Sequence, residues 1–391
     1  MNMPSFISLK STPFIIYTNG VVKCYVICID KLCIFARLKN VKTMNEHLSP
    51  SIAPRSKKSR ARYRVAVIGS GSWATAIVKI ISVNLEHIHW WVRQEEIAES
   101  IIKYGHNPKY LSSVFVNPED VKVSTDIKST VSRADYVIIV TPSAYLHKTL
   151  EPLKRSQLSK KKIILAVKGI VPETMQLISD YMQSQFKVPL DQLCIISGPS
   201  HAEEIAQEKF TFLTAASTNQ ELAETVAKFF TTRYCRTSVS SDVMGAELSI
   251  VLKNIYALGA GIYSGLGYGD NFIAAYVANC LKEMKYFVSE VYPNENRHIS
   301  DSVYLGDLLV TAYSTFSRNR LFGIMIGHGL SVRVSLLELR MVSEGYTACR
   351  CVHEINKKIG AEIPIVETIY GILYENNNVS SEMQRIAEHF V

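Results

Sequence analysis

From Tyr63 onward, short apolar runs alternate with stretches of helical periodicity. The segments RVAVI at 64–68, IHWWV at 88–92, VKVST at 121–125, DYVIIV at 135–140, IILAV at 163–167 and LCII at 193–196 read as strands. Apolar residues fill both faces of most of them, as in strands covered on both sides. Helical stretches such as 75–83 and 144–153 lie between them. This alternation predicts an α/β fold with a doubly wound parallel sheet. One more strand is expected at 211–217, and beyond it the period becomes helical. Asp242 is placed to N-cap a long helix whose apolar positions Leu248, Val251, Leu252, Ile255 and Leu258 form a broad stripe. Gly259, Gly261, Gly265, Gly267 and Gly269 predict close helix packing and a bend before Asp270. An amphipathic helix is expected over 272–292, and a last helical region begins near Val342 and runs through Pro364. The pattern gives a leader over 1–62, a sheet domain over 63–240 and an all-helical domain over 241–391.

Composition changes this picture mainly at the N-terminus. With 391 residues, 47% hydrophobic and 20% charged, the chain can bury a full-sized core, and global disorder is excluded. Of the net charge of +8, residues 1–64 carry +10 and the remainder −2. The near-neutral body argues against a nucleic-acid-binding face. The basic cluster RSKKSRARYR at 55–64 reads as a solvated, flexible leader, with a nucleic-acid tail as the competing reading. The apolar stretch 13–36 is interrupted by Lys23, Asp30 and Lys31 and carries no secretory cleavage pattern. The expectation is therefore a cytoplasmic protein with no integral membrane segment. Met44 is expected to be the natural start, with 1–43 an upstream extension. The eight cysteines form no CxxC pair, and no metal-ligand spacing occurs, so free thiols and no metal are expected.

Candidate chemistry clusters at strand ends. The first strand leads into GSGSWA at 69–74 and then a helix. Gly69 permits the tight turn and Gly71 lets the backbone approach a pyrophosphate, which would rest on amides at the helix N-terminus; Ala74 is a tolerated third position. This is the Rossmann-type arrangement for NAD or NADP. The second strand ends at Arg93 rather than at an acidic residue for the ribose diol. That makes NADP at least as compatible as NAD, although Glu95 and Glu96 lie close. Lys168, Gly198 and Ser200 also sit at strand ends, where ligands bind in such sheets. Lys253 and Asn254 interrupt an apolar helix; a dehydrated lysine loses basicity and can exchange protons near neutrality. Ser317, Arg318 and Asn319 offer a hydroxyl, a guanidinium and an amide, the donor set that phosphate recognition requires.

Taken together, GSGSW at 69–73, NPKYL at 107–111, KG at 168–169, GPSHAEE at 198–204, LKN at 252–254, GYGDN at 267–271, LGDL at 305–308, SRN at 317–319 and EG at 344–345 carry a resemblance. Residues 63–391 resemble the bacterial NAD(P)-dependent glycerol-3-phosphate dehydrogenases. The resemblance implies interconversion of dihydroxyacetone phosphate and glycerol 3-phosphate, supplying phospholipid synthesis. It implies Lys253 as general acid/base, Lys168 as a polarising and substrate-holding group, Asp307 at the substrate end, and Arg318 with Asn319 on the phosphate. Gly198, Ser200 and Ser317 match substrate-contact positions. Ser72, Trp73, Arg93, Tyr110, Ala202, Val342 and Glu344 match cofactor-contact positions, joined by Lys168 and Arg318. The implied partner is a small phosphorylated molecule, and a homodimer stays open. Ala278-Asn279-Cys280 departs from the family's usual Thr-Arg-Gly, and the segment before Leu305 lacks its usual glycine run. A related reductase of β-hydroxy acids or ketopantoate would share the glycine turn and the lysine but not the 317–319 anchor. A cofactor-sensing binding protein would tolerate loss of Lys253.

Overall fold

The structure is a computed structural model that describes residues 60–339 and 343–390 together with three strands nearer the N-terminus. The chain divides into two units, 1–53 and 54–391. In the first, β1 (Phe14–Thr18), β2 (Val21–Ile29) and β3 (Leu32–Ala36) form an antiparallel meander. Met44 and most of the basic cluster lie outside the described residues.

The second unit begins with strands β4 (Ala61–Ile68), β5 (Leu85–Trp91), β6 (Val121–Ser124), β7 (Tyr136–Ile139) and β8 (Lys162–Leu165). A small hairpin follows, β9 (Ile170–Val171) with β10 (Gln176–Leu177), then β11 (Leu193–Ser197), β12 (Thr211–Ala216) and β13 (Cys235–Ser240). Between them run helices α1 (Ser72–Ile81), α2 (Glu95–Tyr104), α3 (Ile127–Ser132), α4 (Ser143–Leu150), α5 (Arg155–Leu158), α6 (Ile178–Phe186), α7 (Ala202–Ala206) and α8 (Gln220–Phe230). The main sheet has the order β13-β12-β11-β8-β7-β4-β5-β6. Val65, Ala66, Val67 and Ile68 have no exposed surface, so both faces of β4 are covered, as its unbroken apolar run requires.

The sheet is parallel, as expected, except at one pairing near an edge. β12 pairs antiparallel with β11, and β13 runs parallel to β12. The link from β11 to β12 carries only the five-residue α7.

Everything after β13 is helical: α9 (Val243–Gly265), α10 (Asp270–Val291), a π-helical turn at Ser302–Gly306, α11 (Asp307–Tyr313), α12 (Arg318–Gly327), α13 (Val332–Leu339), α14 (Glu344–Ile359), α15 (Pro364–Tyr374) and α16 (Val379–Ala387). Asp242 caps α9 by accepting from the Gly245 amide at 3.3 Å. By length and apolarity α9 could cross a membrane, but it lies inside the protein. It runs unbroken to Gly265, and the chain turns there before α10 begins at Asp270, as the glycines predict. A Cβ on Gly261 would stand 2.0 Å from the Arg320 carbonyl oxygen, and one on Gly323 2.0 Å from that of Leu258. Paired glycines thus let α9 and α12 touch backbone to backbone, which fixes where Lys253 and Arg318 lie relative to each other.

Two buried carboxyls fasten α9 and α10. Glu247 accepts from the backbone and hydroxyl of Ser179, tying α9 to α6. Glu283 on α10 accepts from the amides of Ile365 and Val366 at 2.7 and 3.1 Å and from the Tyr256 hydroxyl at 3.2 Å. Burial pushes Glu283 up to about 7. Glu283→Ala would strand three buried donors and is expected to cost on the order of 3–5 kcal/mol, read as a lowered midpoint in urea. A midpoint equal to that of the parent would show that the carboxyl does not hold α15.

Candidate active site

A crevice of about 600 Å³ opens where the sheet's carboxyl edge meets α9, α11, α12 and α14. At one end is the glycine turn. Gly69 has φ +146°, and a Cβ there would stand 2.6 Å from the Val140 carbonyl oxygen, so only glycine fits. Gly71 is the N-cap of α1 without any side-chain cap, and a Cβ there would meet nothing within 4 Å. The first amides of α1 therefore face open space, as a pyrophosphate requires. The indole of Trp90 donates to the Gly69 carbonyl at 2.7 Å. Asn107 donates to the Ser70 carbonyl at 3.0 Å, and its own amide oxygen accepts from Lys109 and Tyr110. The 107–111 loop is thereby locked onto the turn. Ser72, Trp73, Arg93 and Tyr110 line this end. The residues present fit a nicotinamide dinucleotide.

Deeper in the crevice, α9 presents Lys253, which is only 2% exposed. Its ammonium is ion-paired with Asp307, which has no exposed surface and also accepts from the Ser197 hydroxyl at 3.0 Å. Burial, reinforced by Lys168 and opposed by Asp307, pushes Lys253 down to about 7. Burial by itself would raise Asp307, but Lys168 and Lys253 outweigh it and hold the carboxyl below the usual range. The pair thus consists of an anion that stays charged and a lysine poised to exchange its proton. Lys168 lies half-buried over the Trp73 ring, 5.5 Å from its centroid, and its carbonyl accepts from the Asn254 amide at 3.1 Å.

The far wall is the start of α12. Ser317 is its N-cap, accepting from the Arg320 amide at 3.3 Å. Arg318 is exposed at the crevice and Asn319 is buried beside it. The Asn319 amide oxygen accepts from the Ser343 hydroxyl and the Gly345 amide, each at 3.0 Å, which leaves its NH2 group for a ligand. Glu344 accepts from the backbone and hydroxyl of Ser143, and burial raises its carboxyl. That contact joins the helical half to the sheet half across the crevice.

The family profile described as NAD-dependent glycerol-3-phosphate dehydrogenase N-terminus matches residues 64–223, and its C-terminus counterpart matches 242–384. The chain belongs to the NAD-dependent glycerol-3-phosphate dehydrogenase family. As a member it is an NAD(P)-dependent oxidoreductase. It is 34% identical to glycerol-3-phosphate dehydrogenase [NAD(P)+] of Oceanobacillus iheyensis, over 83% of this chain and 93% of the relative. The enzyme of the same name from Thermoanaerobacter sp. is also 34% identical, over 83% and 98%. Among solved structures, glycerol-3-phosphate dehydrogenase from Coxiella burnetii superposes with a TM-score of 0.76 at 27% identity, covering 84% of this chain and 99% of that one. The Saccharomyces cerevisiae enzyme gives 0.73 at 27%, covering 84% and 100%.

In this dehydrogenase the crevice wall includes Gly69, Gly71, Ser72, Trp73, Arg93, Tyr110, Lys168, Ser200, Ala202, Lys253, Ser317, Arg318, Asn319 and Glu344, all singled out from the sequence. Gly198 and Asp307 are not on it. Gly198 takes φ +139°, with the Phe212 carbonyl oxygen 2.7 Å from where a Cβ would be, and serves the turn that presents Ser200. Asp307 sits behind Lys253 as its counter-ion. Val342 lies outside the described residues. Sequence reasoning missed Thr311, which also lines the wall, as do His201 and Asn254, which lie inside quoted motifs but were given no role at the site. Thr311 was within reach: it is one helical turn beyond Asp307 and donates to that residue's carbonyl at 2.6 Å. The departing Ala278, Asn279 and Cys280 lie on α10 and line no part of the crevice.

Proposed function

We propose that this chain interconverts dihydroxyacetone phosphate and sn-glycerol 3-phosphate, using NADPH or NADH. One observation carries the reading. Lys253 with its buried counter-ion and the Arg318–Asn319 donors open onto the same crevice as the glycine turn. The bound nicotinamide supplies or accepts the hydride at the substrate's carbonyl carbon. In the reductive direction the Lys253 ammonium gives its Nζ proton to the carbonyl oxygen as that oxygen becomes an alkoxide. In the oxidative direction the neutral amine takes the hydroxyl proton. Lys168 faces the same oxygen and stabilises its developing charge. Asp307 holds the Lys253 side chain in place without touching substrate. Arg318 and Asn319 grip the phosphate, and that remote grip fixes the reacting carbon.

With Lys253 pushed down to about 7, turnover in the reductive direction is expected to fall as pH rises through about 7, because the ammonium is the form that donates. The oxidative turnover should rise through the same range. Saturated rates followed in both directions check this; parallel profiles would remove Lys253 from proton transfer. The reading itself is tested by absorbance of the reduced nucleotide with dihydroxyacetone phosphate, against a keto acid as control. Reduction of the keto acid alone would overturn it. By the same resemblance the enzyme supplies phospholipid synthesis from the cytoplasm and can pair as a homodimer. Cell fractionation and sedimentation test these two points.

A further inference from the structure

Resting on the dehydrogenase reading, we infer that Ser197 is a positioning residue for the proton transfer: its hydroxyl occupies one oxygen of Asp307, so that only the other is left to Lys253. Ser197 is the last residue of β11. Leu193, Ile195 and Ser197 alternate onto one face of that strand, and Leu193 and Ile195 share a core with Val251 and Leu252 of α9. Ser197, fully buried, is the one polar position on this face, and it stands on the side of the helix that carries Lys253.

From the helical half, Asp307 enters as the first residue of α11, directly after the π-helical turn. Its Oδ2 accepts from the Ser197 hydroxyl at 3.0 Å. Its Oδ1 meets the Lys253 ammonium, and among the described residues no further hydrogen-bond donor reaches that oxygen. A carboxylate with both oxygens free could turn, offer the ammonium either one, and hold the proton that the substrate must receive. With Oδ2 engaged, the carboxylate is fixed and part of its charge is drawn away from Lys253. Two other groups face the pair. Lys168 repels Lys253 and attracts Asp307, and His201 is kept below the usual imidazole range by burial and the two lysines. Removing the Ser197 hydroxyl leaves Oδ2 bare and the carboxylate more basic, so Lys253 keeps its proton to higher pH.

Two readouts test this, one of them free of turnover. Trace acetylation of the full chain by acetic anhydride across pH, read at Lys253 by mass spectrometry, follows the neutral amine directly. In Ser197→Ala its midpoint is expected to move up by about half to one pH unit, the worth of one neutral hydrogen bond. The oxidative kcat at neutral pH should fall by roughly two- to fivefold, with little change in KM for glycerol 3-phosphate. Its rise with pH should move up together with the acetylation midpoint. Ser197→Thr, which keeps a hydroxyl, should return both midpoints to the parent's. Melting temperature and cofactor titration verify that the variants are folded. If the alanine variant does not bind cofactor, Ser197→Cys gives the same comparison, because it keeps the volume and donates only weakly. A folded variant lacking the hydroxyl but retaining the parent's midpoints would overturn the inference. So would equal losses in both directions with the midpoints unmoved, the mark of a merely structural role. If the Lys253 midpoint moves while no form of the protein reduces dihydroxyacetone phosphate, the positioning role stands and the dehydrogenase reading fails.

Discussion

Lys253→Ala is expected to lower turnover by roughly 10²–10⁴-fold while leaving NADPH affinity nearly intact. The side chain lies deep in the crevice, away from the glycine turn, and its proton is needed only as the oxygen changes charge. The effect should therefore appear in kcat more than in KM. The substitution has a second consequence, because Lys253 balances the fully buried Asp307. Leaving that carboxylate with only Lys168 and the Ser197 hydroxyl nearby should also lower the melting temperature. Cofactor titration by fluorescence separates the two effects, since a chain that still binds NADPH is folded. Partial recovery of turnover by a small primary amine would further tie the loss to the missing ammonium. Near-parental turnover in a variant that binds cofactor would remove Lys253 from the chemistry.

Arg318→Ala should weaken the phosphorylated substrate by about 2–4 kcal/mol, a roughly thirty- to eight-hundredfold fall in kcat/KM. Arg318 is exposed in the free enzyme and becomes desolvated only when a phosphate covers it, so the substitution should scarcely alter stability. The discriminating comparison uses dihydroxyacetone itself, which lacks the dianion. An equal loss toward dihydroxyacetone would show that Arg318 acts on something other than phosphate. Arg318→Lys should restore part of the affinity by charge but not the forked geometry.

Much of this arrangement is legible along the chain because it depends on local pattern. The strands at 64–68 and 135–140 announce themselves by unbroken apolar runs, and the turn at 69–74 by its glycines, of which Gly69 admits no side chain. Lys253 stands out because an ammonium interrupts a helix that is otherwise apolar. What stayed hidden depended on pairing between distant segments. Asp307 is singled out in the sequence only at the substrate end, and only folding packs it against Lys253 as a counter-ion. Thr311 gains meaning only once Asp307 is known to sit one turn before it. The reversal of β12 and β13 relative to the rest of the sheet is a matter of how distant strands pair, and no local pattern records it.

The sequence by itself determined the element types, the glycine turn, the lysine buried in a helix and the basic side chain after the second strand. Each of these is written in the residues next to it, through side-chain period, backbone permissiveness or local dehydration. Tertiary structure alone decided that Glu95 and Glu96 turn to Thr125 and Lys109, that Asp307 is a counter-ion rather than a wall residue, and that α9 and α12 meet at their glycines. Those outcomes are contacts between residues far apart in the chain, and they exist only because the core brings their carriers within hydrogen-bonding or van der Waals reach.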